Sequence, residues 1–358
     1  MQAPHPAVRA LSLAALAAAL AVSPLAAQRG RGDIKPGPWN TASKLPDGWV
    51  IYESRYYQVQ SQAGIEKAKR LAEHMEVMNA VYRSMFRPDK GGAKRQAIKL
   101  LKDREAFLAY GAPPGAGAYY SPTEREMVCY DTGKWSDEDK VEAAVTGEDS
   151  AKSAGARRRA QMEDIMKMDI LGAAAHEGWH QYFHWYVVSW VELPSWINEG
   201  MGDYFYTASP RETKGRKKKA DLGGKNGMRL AVLKAAVKQD RFVPLADLIK
   251  YTKADYYSNA SICYAEGWGL CQFLLHSGNK KYEKVVPLFV RLVRDDTNMQ
   301  VVTERAFKGV DMAELQADFL AWLDKQTLLP EDEVGDDDGK DGEKPGEKPA
   351  GKPDGGGQ

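Results

Sequence analysis

Five residues in one short run carry side chains that could do chemistry together. His176, Glu177 and His180 are spaced H-E-x-x-H, and Glu199 and Asp203 follow further on. On a helix, positions four apart share a face and lie about 6 Å apart along the axis. Two imidazoles so placed can close on one zinc ion at roughly 2.0–2.1 Å each. Glu177 sits beside them and can reach a water there as a general base. A catalytic zinc also needs a third protein ligand and a position open to solvent. Glu199 is the candidate ligand. Asp203, one turn on, is placed to accept the remaining N–H of a ligating histidine. His184 extends the series, but eight helical residues carry it about 12 Å from His176, too far to share one ion. It is expected to pack rather than to ligate.

Two helices that pass each other must bring these residues together. Leu171, Ala173, Ala174 and Ala175 form an apolar lead-in of good helix formers before His176. Leu193-Pro194-Ser195 opens the second helix: Pro194 breaks what precedes it, and Ser195 is expected to cap Trp196-Ile197-Asn198-Glu199. Glu199 then lies in the first turns, where a carboxylate suits the helix dipole.

H-E-x-x-H, then Gln181 to Asn198 (eighteen residues), then Asn198-Glu199-x-x-x-Asp203 resembles the gluzincin metallopeptidases, the clan of thermolysin and aminopeptidase N. The spacing resembles the aminopeptidase N branch, and P-S-W-I-N-E-G-M-G-D-Y-F resembles the bacterial peptidase MA-like family of secreted or envelope proteins. The resemblance implies a thermolysin-like α+β fold. It implies His176, His180 and Glu199 as zinc ligands, Glu177 as base and Asp203 behind a ligating imidazole. Tyr264-Ala265-Glu266-Gly267 resembles the Y-x-x-G of the aminopeptidase branch, which implies Tyr264 as donor to the oxyanion; Tyr256 and Tyr257 are further donors within reach in sequence. The G-x-M-E-N motif, which captures a substrate's free amine in that branch, is absent upstream. The resemblance therefore does not extend to aminopeptidase specificity.

The rest of the chain fits an exported enzyme. Residues 1–27 read as a signal peptide: Arg9, an Ala/Leu run from Ala10 to Val22, then a small-residue cleavage zone ending at Ala27. That places the protein outside the cytoplasm, secreted or periplasmic, with no membrane association after cleavage. Residues 28–47 read as a linker and 331–358, almost without apolar residues, as a disordered tail. The net charge of +1, from 50 basic and 49 acidic residues, argues against nucleic acid or an anionic membrane as the partner. Three cysteines leave at least one thiol unpaired, and Cys129, Cys263 and Cys271 read as small buried apolar residues. No internal repeat, phosphate-binding loop or G-x-S-x-G is present.

Residues 48–206 are expected to hold a small mixed sheet and the zinc helices, and residues 227–330 a mainly helical part. Trp49–Val59 reads as a strand, and Ile65–Phe86 as an amphipathic helix with His74 off its apolar stripe and solvated. Ala97–Leu101 reads as a strand and Arg104–Tyr110 as a short helix. Tyr119-Tyr120 and Met127–Tyr130 read as a hairpin; the gluzincin resemblance implies Met127–Tyr130 as the edge strand that pairs with an extended substrate, and the residues alone fit an ordinary sheet strand equally. The segments 137–159 and 211–226 read as charged loops. Helices are expected over 228–237, 245–251, 261–276, 281–293 and 312–323, with His276 meeting carbonyls at its helix end. The reading is a zinc-dependent peptidase acting on a peptide or protein substrate. A zinc-holding scaffold with an idle site is a second reading, against which the retained Glu177 argues. A zinc hydrolase of non-peptide amides or esters is a third.

Overall fold

Alternating apolar residues at Val59, Ile98, Leu100, Met127 and Cys129 build one face of a five-stranded sheet, and Leu101, Tyr119 and Val128 build the other. The structure, a computed structural model, describes residues 45–88, 95–113, 115–135, 168–188, 191–211 and 219–328. The expected signal peptide, nearly all of the linker, the 137–159 loop, the centre of the 211–226 loop and the tail lie outside those residues. Strands β1 (Val50–Glu53) and β2 (Tyr57–Ser61) precede helix α1 (Ile65–Met85), β3 (Gln96–Leu101), α2 (Arg104–Ala109), β4 (Ala118–Ser121) and β5 (Glu126–Tyr130). The sheet order is β1-β2-β3-β5-β4. β2, β3 and β5 run parallel, with Val59 opposite Ile98 and Ile98 opposite Met127; β1 and β4 pair antiparallel at the two edges. The fold is α+β, as expected.

Three expectations about the sheet and α1 need correction. Trp49–Val59 is a hairpin rather than one strand. Glu76 on α1 holds its turn, accepting from the Ser54 hydroxyl at 2.7 Å and the Tyr56 N–H at 2.6 Å. His74 is buried, not solvated, because α1 is covered by the sheet, by the helix over 170–182 and by a later strand pair. Burial pushes its pKa down to about 4. Finally, β5 is an interior strand. The turn at 122–125 folds β4 outward, setting Tyr120 opposite Met127, so β4, not β5, is the edge strand at this end of the sheet among the described residues.

Helix α3 (Ile170–Tyr182) lies against the sheet and ends in a π-turn over Phe183–Val187. Asp169 caps it, accepting from the Leu171 N–H at 3.0 Å, and the Tyr82 hydroxyl donates to the Ala175 carbonyl at 2.5 Å. Helix α4 (Ser195–Tyr206) crosses α3. Pro194 occupies its cap position and Ser195 is its first residue, with no side-chain cap; the expected Ser195 cap is absent. The Pro194 carbonyl begins the helix instead, accepting from Ile197 and Asn198 N–H at 3.2 and 3.0 Å.

After the β6 (Ser209–Arg211) and β7 (Lys219–Asp221) pair, the chain is helical: α5 (Gly227–Lys238), α6 (Leu245–Leu248), α7 (Lys253–Ser258), α8 (Ala260–His276), α9 (Lys280–Glu283), α10 (Val285–Leu292), α11 (Met299–Ala306) and α12 (Met312–Asp324). The expected helix over 281–293 is two. Pro287 lacks an N–H and its ring crowds the carbonyl four residues back, so the chain breaks between α9 and α10. The short α7 and α11 escape sequence reading. His276 meets the Tyr204 hydroxyl at 2.9 Å rather than carbonyls. Cys129, Cys263 and Cys271 are buried and unbridged, as expected. No described helix is long and apolar enough to cross a membrane.

Helix α8 packs directly on α4. A Cβ on Gly200 would stand 2.7 Å from the Gly267 carbonyl carbon and 2.8 Å from Cys271 Sγ, so only glycine permits this crossing. Beside it, Glu266 is buried, with one oxygen accepting from the Val243 N–H at 2.8 Å and the other unpartnered. Burial pushes its pKa up to about 8. A raised pKa favours the folded state at low pH, and that stability is lost as pH rises from the unfolded value of about 4.5 through about 8. Glu266→Gln, which mimics the protonated acid, is expected to flatten the fall in melting temperature between about pH 6 and about pH 9 in calorimetry. An equal fall in the variant and the parent would refute this.

Candidate metal centre

The crossing of α3 and α4 brings His176, His180 and Glu199 together, with one potential ligand atom from each lying within 4.8 Å of the others. His176 Nε2 stands 3.3 Å from Glu199 Oε2, and His180 Nε2 stands 3.6 Å from the same oxygen. A tetrahedral ion with ligands at roughly 2.1 Å sets its ligand atoms about 3.4 Å apart. The separations on the protein match that figure. His184 is not in the cluster; its Nδ1 meets the Tyr120 hydroxyl at 2.7 Å on β4.

The other ring nitrogens fix which atoms face inward. His176 Nδ1 meets Asp203 Oδ1 at 3.1 Å. An ionised carboxylate only accepts, so this nitrogen carries the proton and Nε2 presents a lone pair. His180 Nδ1 meets Asn198 Oδ1 at 3.1 Å, while Asn198 Nδ2 donates to Glu199 Oε1 at 3.2 Å. The amide orientation is set by that carboxylate, so His180 also donates from Nδ1 and aims Nε2 inward. Two nitrogen lone pairs and a carboxylate oxygen thus converge on one point. The donor set, imidazole nitrogen and carboxylate oxygen, suits a divalent ion such as zinc.

Glycine makes the space. A Cβ on Gly202 would stand 2.6 Å from His176 Nε2, so the imidazole lies directly over that residue. Behind Asp203 is Arg229 on α5, whose Nε donates to Asp203 Oδ2 at 2.7 Å and whose Nη2 donates to Oδ1 at 3.4 Å. Its guanidinium also lies over the Tyr264 ring, 4.8 Å from the centroid. Tyr264 hydrogen-bonds Tyr257, and Tyr257 donates to Glu199 Oε1 at 2.8 Å. Tyr256, the remaining tyrosine of the three, turns into the core against Gly267.

The electrostatics follow. Burial alone would lower the pKa of His176, but the hydrogen bonds to Asp203 and Glu199 overturn that and raise it to about 10. Burial opposes ionisation of Glu199, yet the facing imidazoles hold its carboxyl well below the usual range. Glu177, fully enclosed, is pushed up by burial against the pull of His176 and His180, with the Tyr120 backbone on β4 hydrogen-bonded to it. Without an ion, a proton on His176 supplies the positive charge that the convergent atoms require.

Sequence reading found all three convergent residues and Asp203. It quoted Asn198 without a role, gave Tyr257 only as a further donor, and missed Arg229, Gly202 and the Gly200–Gly267 contact. The glycines flanking Met201 were a signal: two in one helical turn weaken a helix unless something must approach closely. Arg229 left none.

A family described as "protein of unknown function (DUF1570)" matches residues 170–291. That span opens on the first residue of α3 and contains the three convergent residues with Asn198, Asp203, Arg229, Tyr257 and Tyr264; Tyr120 lies outside it. No curated protein matches the chain.

Two outcomes test this geometry. An ion must displace the His176 proton, so zinc titrated at about pH 7.5 is expected to release about one proton per site. Calorimetry in buffers of differing ionisation enthalpy reads that directly, and the apparent affinity should rise with pH; a buffer-independent heat would contradict it. Asp203→Ala is expected to weaken zinc binding about 10–100-fold, as measured by competition with a chromophoric chelator. Unchanged affinity would remove Asp203 from its supporting part.

Proposed function

We propose that this protein is an exported zinc-dependent peptidase of gluzincin type, with a thermolysin-like catalytic domain. Glu177 carries the reading. A purely structural ion needs no base, yet a carboxylate follows the first ligating histidine directly, on the same helix and beside the edge strand β4. When bound, zinc would polarise a scissile carbonyl and acidify the attacking water toward neutrality.

The chain's own residues do the rest. Glu177 accepts the proton of the attacking water and returns it to the leaving amine. The Tyr120 backbone orients that carboxylate, so base and edge strand are tied together. β4 offers its outer hydrogen-bonding groups to an extended peptide, which would add as a further strand and lie across α3. This is the part that Met127–Tyr130 was expected to play. Tyr264, the expected oxyanion donor, bonds Tyr257, which in turn bonds Glu199 Oε1, so in this arrangement stabilisation of the oxyanion would fall to the bound ion. The leader-like composition of residues 1–27 supports a reaction in the periplasm or the exterior.

Glu177→Gln is expected to keep zinc at the parent's level and to lose roughly 10²–10⁴-fold in kcat on a cleaved peptide. A proteome-derived peptide library, digested with and without chelator and read by mass spectrometry, supplies that peptide. Cuts at consistent positions that vanish with chelator support a peptidase. Retained zinc with no cuts supports a scaffold, and full turnover in the glutamine variant would strip Glu177 of its role.

A further inference from the structure

Glu199 uses its two oxygens differently. Oε2 faces both imidazoles, at 3.3 and 3.6 Å, while Oε1 accepts from the Tyr257 hydroxyl at 2.8 Å and from Asn198 Nδ2 at 3.2 Å. A carboxylate beside a cation can close on it with one oxygen or with both. If both close, the position that a water needs is filled. Whatever holds Oε1 therefore decides whether the fourth corner stays open.

Tyr257 is the better placed of the two holders. Its bond to Oε1 is the shorter. Tyr264 packs edge-on against Tyr257, ring centroids 6.0 Å apart, and bonds it; since the one proton of Tyr257 goes to Glu199 Oε1, the Tyr257 oxygen accepts from Tyr264. A hydroxyl that accepts one hydrogen bond donates a stronger one onward. Tyr264 is 2 % exposed and its proton is committed to its neighbour, whereas Tyr257 is only partly buried. Arg229 anchors the far end, lying over Tyr264 while bridging to Asp203 and so to His176. The contacts form a closed ring around the metal position: His176, Asp203, Arg229, Tyr264, Tyr257, Glu199.

We propose that Tyr257, steadied by Tyr264, is a positioning residue that keeps Glu199 a one-oxygen ligand and thereby keeps the fourth coordination position open. The inference rests on Glu199 being a ligand, and its test separates the two. Cobalt(II) reports coordination number by colour, because a four-coordinate ion lacks the symmetry that suppresses its visible bands. Parent, Tyr257→Phe and Tyr264→Phe are loaded with cobalt, the bound metal is quantified, and visible absorption and circular-dichroism melting are recorded. The parent is expected to bind one equivalent and absorb strongly. Tyr257→Phe is expected to bind the same amount with a several-fold weaker band, and Tyr264→Phe to show a smaller loss of the same kind. Full loading of Tyr257→Phe with an unchanged band overturns the inference and leaves Glu199 as ligand. A parent that binds no cobalt overturns the ligand set itself, and this inference with it. If Tyr257→Phe melts too low to load, Tyr264→Phe decides: an unchanged band there contradicts the relay.

Discussion

Two imidazole lone pairs and a carboxylate oxygen, largely enclosed and aimed at one point, repel each other unless something positive lies between them. That constraint orders the rest of the molecule. Holding such an arrangement needs stiff supports, and each atom has one. Asp203 and Asn198 fix the two rings, Arg229 fixes Asp203, and Tyr257 fixes the far oxygen of Glu199. The site accepts a proton on His176 as a substitute charge, which is why that imidazole stays basic despite its burial.

Backbone proximity is what lets the supports reach. Without a side chain at Gly202, the His176 ring can lie on α4; without one at Gly200, α4 can lie on α8. The second contact joins the two halves of the chain. It brings α8, with Tyr264, and the preceding α7, with Tyr257, up to Glu199. The sheet half contributes differently. It backs α3 with apolar residues and sets the edge strand β4 next to Glu177, so that a buried carboxylate and a sheet edge share one wall.

How much of this was legible depended on whether the determinant was local. The H-E-x-x-H spacing is a helical periodicity, so it located the cluster directly, and Glu199 and Asp203 followed from one helix further on. α1, β3 and α8 were visible as strong apolar patterns. What failed was set by distant partners. The turn splitting β1 from β2 is held by Glu76, more than twenty residues away along α1. Which strand of the β4–β5 hairpin lies outermost depends on β3 taking the inner one, and nothing in Met127–Tyr130 reports that. His74 is off the apolar stripe yet enclosed, because α1 is covered on more than one side. Arg229 has no motif; it matters only because α5 returns past Asp203. Pro287, by contrast, was a local signal whose consequence went unread.

Zinc-edge X-ray absorption on purified, chelator-washed and zinc-reloaded protein tests the convergence most directly. The expected spectrum has two nitrogen neighbours and one or two oxygen neighbours at roughly 2.0–2.1 Å, with imidazole outer-shell scattering and no sulfur. A sulfur shell, an all-oxygen six-coordinate ion, or a protein that retains no zinc would contradict it.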